Sequence, residues 1–335
     1  MASRDSLGDR MKWYEEVPRT SLTPRMPMIL RVDGRAFHTY VKTLEHESSE
    51  PWNPLIRDGM TAAAAALMRE ISGAKIAYLQ SDEISLLVTD YDTIASQAWF
   101  DKVAQKVCSV GASIVTAAFN RAVLAILLGR YHLRELEGAD ETVDVGKLPV
   151  PAHFDARAFV VPREDVCNYF VWREQDATRN SVSMLARAHF DHERLHGKGW
   201  EEMQELLFRE RGVNWNDCEV WQKRGWCVVR RTEIVTVAEL RERGTSVTHD
   251  PDVVVDPDLE VARSVIEPDW NIPIFTRDRD YIERHVDLER AERERRSDEL
   301  LNKILEANRT ELLPAERLDP EHLQHLLEIA TGDSE

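Results

Sequence analysis

The stretch from Met28 to His38 constrains this chain most, because an apolar run, Met28-Ile29-Leu30-Arg31-Val32, delivers a carboxylate, Asp33, straight into the Gly34 turn. A run this apolar lacks simple alternation and predicts a central strand buried on both sides. A second apolar strand, Lys75 to Leu79, runs into Gln80-Ser81-Asp82-Glu83 and out again through Ile84 to Val88. That pattern predicts a hairpin with acids at its tip. If the two strands lie side by side, Asp33 and Asp82 meet at one edge of a sheet, where two hard oxygen ligands can share Mg²⁺ ions. Alternation sends neighbouring strand residues to opposite faces, so one of Asp82 and Glu83 meets Asp33. The expected ligand is Asp82, with Glu83 the supporting acid of the catalytic group.

The other elements follow in order. A short helix is predicted over Leu7 to Glu16, and an alanine-rich helix over Leu55 to Ile71, closed by Gly73. A long helix runs from about Ile94 to Arg130, followed by a polar loop over Glu135 to Val150 and a strand over Ala156 to Val161. Pro162, Glu164 and Asp165 open a further helix carrying Trp172-Arg173. Separate helices are expected around Ser181 to Leu195 and Glu201 to Arg211, with a strand near Cys227 to Arg231. The order βαββαβ is the ferredoxin-like or polymerase-palm arrangement, an α/β (α+β) core with additional helices. Residues 1–150 would hold the first part of the catalytic core, 151–250 its remainder with RNA-contacting helices, and 251–335 a charged helical extension. Its densest part, Arg277 to Glu306, reads as a solvated helix laced with i,i+4 charge pairs.

Composition bounds the partners. The net charge of -17 over 335 residues is awkward for a phosphate-binding protein and leaves room only for a local basic groove. The four cysteines form no CxxC pair and suggest neither a disulfide framework nor a zinc knuckle. The N-terminus lacks an apolar signal core, and the Val107 to Leu128 stretch, broken by Asn120 and Arg121, reads as a buried helix rather than a membrane span. A soluble cytoplasmic protein without a membrane partner is expected.

The turn from Gly34 through Arg35, Ala36, Phe37 and His38 could turn backbone N–H groups toward an anion such as a triphosphate. Lys223-Arg224 is a candidate RNA-phosphate contact, and Trp215, Trp221 and Trp226 interleave with that cluster. His192-Glu193-Arg194-Leu195-His196 matches the HExxH zinc pattern. Gly197-Lys198-Gly199 ends that helix at once, however, and no third ligand follows, so a polar helix end is the better reading.

Taken together, Arg31-Val32-Asp33-Gly34-Arg35-Ala36-Phe37-His38, Ala77-Tyr78-Leu79-Gln80-Ser81-Asp82-Glu83, Trp99-Phe100 to Lys106, Phe154-Asp155-Ala156-Arg157, Trp172-Arg173, Asn214-Trp215-Asn216 and Lys223-Arg224-Gly225 resemble the tRNA-histidine guanylyltransferase family and its bacterial and archaeal Thg1-like relatives. They fall in family order over about residues 25–230. The resemblance implies a palm-like homo-oligomer, a tetramer, that adds nucleotides in the 3′-to-5′ direction at the 5′ end of tRNA, using ATP and GTP or other nucleoside triphosphates. Asp33, the Gly34 carbonyl and Asp82 would hold two Mg²⁺ ions, and Ser81 and Lys106 would contact nucleotide phosphates. Where eukaryotic members carry His-Ile-Asn-Asn-Leu-Tyr-Asn, this chain has Thr178-Arg179-Asn180-Ser181-Val182-Ser183-Met184. Only Asn180 is kept, and it joins Lys223 and Arg224 as an RNA-contacting candidate. The departure resembles the bacterial branch and favours templated repair of 5′-truncated tRNA over guanosine addition to histidine tRNA. A non-catalytic RNA-binding descendant is disfavoured by the intact Asp33 and Asp82, and a nucleotide cyclase on the same palm by the surrounding motifs.

Overall fold

The computed structural model describes residues 6–44, 51–136, 149–244 and 256–286. By contacts the chain divides into two units, Met1–Asp278 and Arg279–Glu335. Among its described residues the first holds one antiparallel sheet, built from β1 (Met28–Gly34), β2 (Ala74–Gln80), β3 (Glu83–Val88), β4 (Phe154–Val160), β5 (Trp226–Thr236) and β6 (Glu260–Asp269) in the order β4-β1-β3-β2-β5-β6. Its first four strands follow the split βαβ topology expected for a palm. The boundary expected at residue 250 falls inside this unit, between the paired strands β5 and β6.

One face of the sheet is the core. Met28, Leu30 and Val32 of β1, Ile84, Leu86 and Val88 of β3, and Ala77, Leu79, Trp226 and Val228 farther along pack against α3 (Pro54–Glu70) and α4 (Ala104–Leu136). α3 starts where Asn53 Oδ1 accepts the Leu55 N–H at 2.9 Å and Pro54 takes the first turn, and its alanines let it lie close to the sheet and to α4. The buried stripe of α4 includes Val107, Val115, Phe119, Val123 and Leu127. This is the core helix expected for the Val107 to Leu128 run.

α4 starts ten residues later than its periodicity suggests. Ile94 is 98% exposed, and Trp99–Lys102 forms a 3-10 turn in which Phe100, Asp101 and Lys102 have φ of 50°, 51° and 53°. Left-handed residues cannot continue a right-handed helix. The turn is held by Lys102, whose buried Nζ reaches Asp90 Oδ1 at 2.9 Å and the Met26 and Thr23 carbonyls at 2.7 and 3.2 Å.

The opposite face of the sheet is partly covered by α5 (Val166–His189), which follows a short 3-10 turn at Arg163–Asp165. It is one helix through Asp176, where two were expected, because Arg173, Glu174, Ala177, Ser181 and Leu185 keep a single buried stripe in phase. The rest of the first unit comprises α1 (Leu7–Glu16), α2 (Phe37–Lys42), α6 (His192–Leu195), α7 (Trp200–Arg211), α8 (Val220–Arg224) and α9 (Val237–Glu242). β6 was not expected. It is a half-exposed edge strand with a sequence too charged to show an apolar alternation, and it exists because β5 offers it ten paired positions from Thr236↔Glu260 to Cys227↔Asp269. In the second unit α10 spans Asp280–Val286. Most of the expected charged helix, the final helix from Pro314 and most of the loop before Val150 lie outside the described residues.

Candidate active site

The fold brings the two acidic motifs together. In register, Asp33 stands opposite Glu83 on β3 and Asp155 on β4. Asp82 sits in the β2–β3 turn beside it, after Ser81, which takes φ of 49°. The Gly34 N–H donates to the Asp82 carbonyl at 3.1 Å, tying the end of β1 to the hairpin tip. A Cβ on Gly34 would lie 2.8 Å from Asp82 Oδ2 and 2.4 Å from a Phe37 ring carbon, so only glycine lets the tip come this close.

Glu83 has a structural position. Its carboxylate takes Arg173 Nε and Nη2 at 2.8 and 2.6 Å and Arg31 Nη2 at 2.7 Å, and it is nearly fully buried. The expectation that it joins the catalytic group narrows to that of a supporting acid, since both its oxygens are taken and its charge is neutralised beneath Asp33. Alternation still separates the roles: Glu83 shares the Asp33 face, and Asp82 reaches the site because it lies in the turn rather than in the strand.

Asp82 and Asp33 are held at elevated pKa. Burial pushes Asp82 up to about 6, with Asp33 and Glu83 adding repulsion against the lowering effect of the Ser81 hydroxyl and the Asp82 backbone N–H. Asp33 is also raised, first by burial and then by Glu83 and Asp155, with Arg31 and Arg157 opposing. Two carboxylates that resist ionising side by side suit a divalent cation, which removes the repulsion. The described residues contain no cluster of three or more His, Cys, Asp or Glu side chains that could hold a metal alone. The pair of Asp33 and Asp82 could hold a hard divalent ion, of the kind bound through one or two carboxylates with substrate phosphates and water completing its shell.

In the turn after Asp33 two of the backbone N–H groups are already taken. The Gly34 and Arg35 N–H groups point inward, the latter to the His153 carbonyl at 2.8 Å, and the left-handed residue is Ala36, with φ of 49°. Phe37 is buried among Tyr40, Phe119 and Phe154, so its ring anchors the turn. The Arg35, Ala36, Ser81 and His38 side chains are exposed.

Lys106 is not brought to the acids. α4 begins at the Met26 end of β1 and reaches the Gly34 end only at Phe119, which packs on Phe37 and Phe154. The intervening helix puts Lys106, whose Nζ lies over the Phe100 ring, ~20 Å from that end of the sheet.

Of the RNA-contacting candidates, Asn180 is exposed on α5, and Lys223 donates to the Asn216 carbonyl at 2.6 Å. The two are linked through Ser181, whose hydroxyl donates to the Lys223 carbonyl at 3.0 Å. Arg224 turns inward instead. Its Nε lies 3.2 Å from buried Glu174 and its Nη2 donates to the Ile272 carbonyl at 2.9 Å, which makes it a structural residue. Trp226 lies in the core and Trp215 donates to the Ser181 hydroxyl, so two of the three tryptophans serve packing. α6 covers only His192–Leu195 with His196 as its C-cap, and although the His192 and His196 ring centroids lie 5.8 Å apart, the described residues supply no cluster of three ligands that would complete the HExxH pattern.

Three arginines escaped the reading of single residues: Arg31 and Arg173, which hold Glu83, and Arg157, whose Nη2 lies 4.0 Å from Asp33 Oδ2 and 3.6 Å from Asp155 Oδ1. The sequence signal for Arg31 and Arg157 was available, since each lies two residues from an aspartate on a strand and so shares its face.

A split βαβ palm with one carboxylate at its hairpin tip and another at the end of the adjoining strand is the frame of a nucleotidyltransferase. The family model described as tRNAHis guanylyltransferase (Thg1) matches residues 8–162. A bacterial Thg1-like protein solved in complex with ATP is 37% identical, with a TM-score of 0.63 over 84% of this chain and 99% of that one. A bacterial Thg1-like chain in complex with GTP is 35% identical, with a TM-score of 0.60 and the same coverage. The tRNA(His) guanylyltransferase of Schizosaccharomyces pombe is 27% identical over 225 residues, 64% of this chain and 76% of that protein. The chain belongs to the Thg1 family.

Proposed function

We propose that this chain is a Mg²⁺-dependent 3′-to-5′ nucleotidyltransferase that adds nucleotides to the 5′ end of tRNA, in templated repair of 5′-truncated molecules. The observation that carries the reading is the junction of Asp33 and Asp82 through the Gly34 N–H to Asp82 carbonyl bond. The relatives solved with ATP and with GTP support nucleoside triphosphates as substrates. The run from Thr178 to Met184, which lacks most of the eukaryotic pattern, supports repair, because base pairing rather than this helix then selects the nucleotide.

In this reading Asp33, Asp82 and the Gly34 carbonyl hold Mg²⁺, which supplies charge neutralisation at the transferred phosphoryl group. The Arg31–Glu83–Arg173 cluster keeps the floor beneath Asp33 fixed, so that the carboxylates are aligned before substrate arrives. Ser81, with left-handed backbone at φ of 49°, makes the turn that carries Asp82. Exposed Asn180 and Lys223 offer RNA contacts on α5 and α8. A homo-oligomer is part of the proposal, supported by α1, which buries none of its residues while exposing Leu7, Met11, Trp13 and Tyr14.

The test incubates the protein with 5′-truncated and full-length tRNAs, Mg²⁺ and each nucleoside triphosphate, beside Asp33→Ala and Asp82→Ala. Extension of truncated tRNA, lost in both variants, is expected. Growth on histidine tRNA alone would favour guanosine addition, the activity named for the eukaryotic relative, and RNA binding without extension would overturn the enzyme reading.

A further inference from the structure

Three arginines share the sheet face of Asp33, and they differ in what they are bound to. Arg173 is 5% exposed and doubly bonded to Glu83, and Arg31, 18% exposed, takes the same carboxylate at 2.7 Å. Neither can leave without stranding a buried charge. Arg157 is 55% exposed, and its nearest acids, Asp155 at 3.6 Å and Asp33 at 4.0 Å, lie beyond the 2.7–2.9 Å of a charge-assisted hydrogen bond. Asp155 is itself 63% exposed and largely solvated. Arg157 therefore stands on β4, beside the paired carboxylates, with its planar donors uncommitted and open to solvent.

We infer that Arg157 is the phosphate-receiving cation of this site, gripping a substrate phosphate next to Asp33 and Asp82. The inference rests on the nucleotidyltransferase reading above. A guanidinium suits the task because its fork matches two phosphate oxygens at once, whereas a lysine acts as a point charge. The acidic surroundings explain the loose contacts: Asp33 and Asp155 keep the side chain at the site without satisfying it. A divalent cation on Asp33 would weaken its attraction for Arg157 and leave the fork free for an anion. The phosphate has two sources, the triphosphate of the incoming nucleotide and the 5′-phosphate of the RNA.

The experiment measures phosphate preference by equilibrium binding at saturating Mg²⁺, in wild type, Arg157→Ala and Arg157→Lys. One arm compares a non-hydrolysable nucleoside triphosphate with its nucleoside. The other compares an RNA hairpin bearing a 5′-monophosphate with the same hairpin ending in a 5′-hydroxyl. Arg157→Ala is expected to lose about tenfold or more of the wild-type preference in one arm, which identifies the source, and Arg157→Lys to restore part of it. Equal preference in wild type and Arg157→Ala in both arms would overturn the inference; a mere counter-ion to Asp33 gives that result, with a changed Mg²⁺ requirement only. A wild type that prefers phosphate in neither arm would instead sink the underlying nucleotidyltransferase reading. Melting temperatures check folding, and Arg157→Gln, which keeps the side-chain stem, replaces Arg157→Ala if the latter unfolds early.

Discussion

Glu83 faces Asp33 across the β1–β3 ladder with both of its carboxylate oxygens already bound to arginines, which sets it apart from Asp82, one position away in the turn. A residue so enclosed supports the site from below.

Removing one partner of this buried cluster leaves charge unpaired. Arg173→Met is expected to destabilise the protein by about 3 kcal/mol in urea unfolding, the usual scale for breaking a buried pair. Adding Glu83→Gln should recover part of the loss, because the stranded carboxylate is then gone. Additive losses in the double variant would show that Arg173 acts through packing alone.

Asp82 titrates in a direction opposite to that of a salt-bridged carboxylate. Its folded value of about 6 exceeds the ordinary 3.8, so ionisation disfavours the fold. The penalty is absent below the ordinary value, builds as pH rises toward 6, and is complete above it. In metal-free protein Asp82→Asn should therefore raise stability by about 1–2 kcal/mol at pH 7.5, allowing for partial solvation, and by almost nothing near pH 3.5. Thermal melts across that range check it, and a stabilisation that grows on acidification would contradict the assignment.

Glycine serves two purposes that one pair of substitutions separates. A methyl group at Gly34 meets Phe37 and Asp82, whereas one at Gly129, on α4, meets nothing within 4 Å. Gly34→Ala should lower stability by about 1–3 kcal/mol and abolish nucleotide addition. Gly129→Ala should leave activity intact and stabilise the helix by up to about 1 kcal/mol. Comparing their unfolding midpoints and turnover is sufficient.

The turn before α4 stores strain that Lys102 holds in place. Asp101→Gly, at an exposed position with φ of 51°, should be neutral or stabilising by about 1 kcal/mol. Lys102→Met should destabilise by about 3 kcal/mol or more, since Asp90 keeps a buried charge without its cation. Chemical denaturation of the two variants tests whether anchor and strain have been assigned to the right residues.

The βαββαβ order, the strand delivering Asp33 and the acidic hairpin tip were legible because each is a local pattern, an apolar run ending in a turn. α1 spans the expected Leu7 to Glu16, and in the structure the Ser6 side chain caps its start by accepting the Asp9 N–H. The start of α4 was not, since residues 94–103 carry a helical period that left-handed backbone interrupts. β6 was invisible because an edge strand needs a neighbour more than an apolar face. Arg224 looked like a surface charge, and only the fold gives it Glu174, fifty residues away in sequence.

By itself the sequence determined the class of fold and the identity of the acids, because strand period, turn chemistry and side-chain type are properties of short segments. Only the tertiary structure decided which acid is free and which is bound, that the Gly34 N–H ties the tip rather than facing an anion, that Lys106 lies at the far end of the sheet, and that Arg157 stands open beside Asp33. Those outcomes depend on register and on burial. Neither exists until strands distant in sequence are paired and the charges between them compete for the same partners.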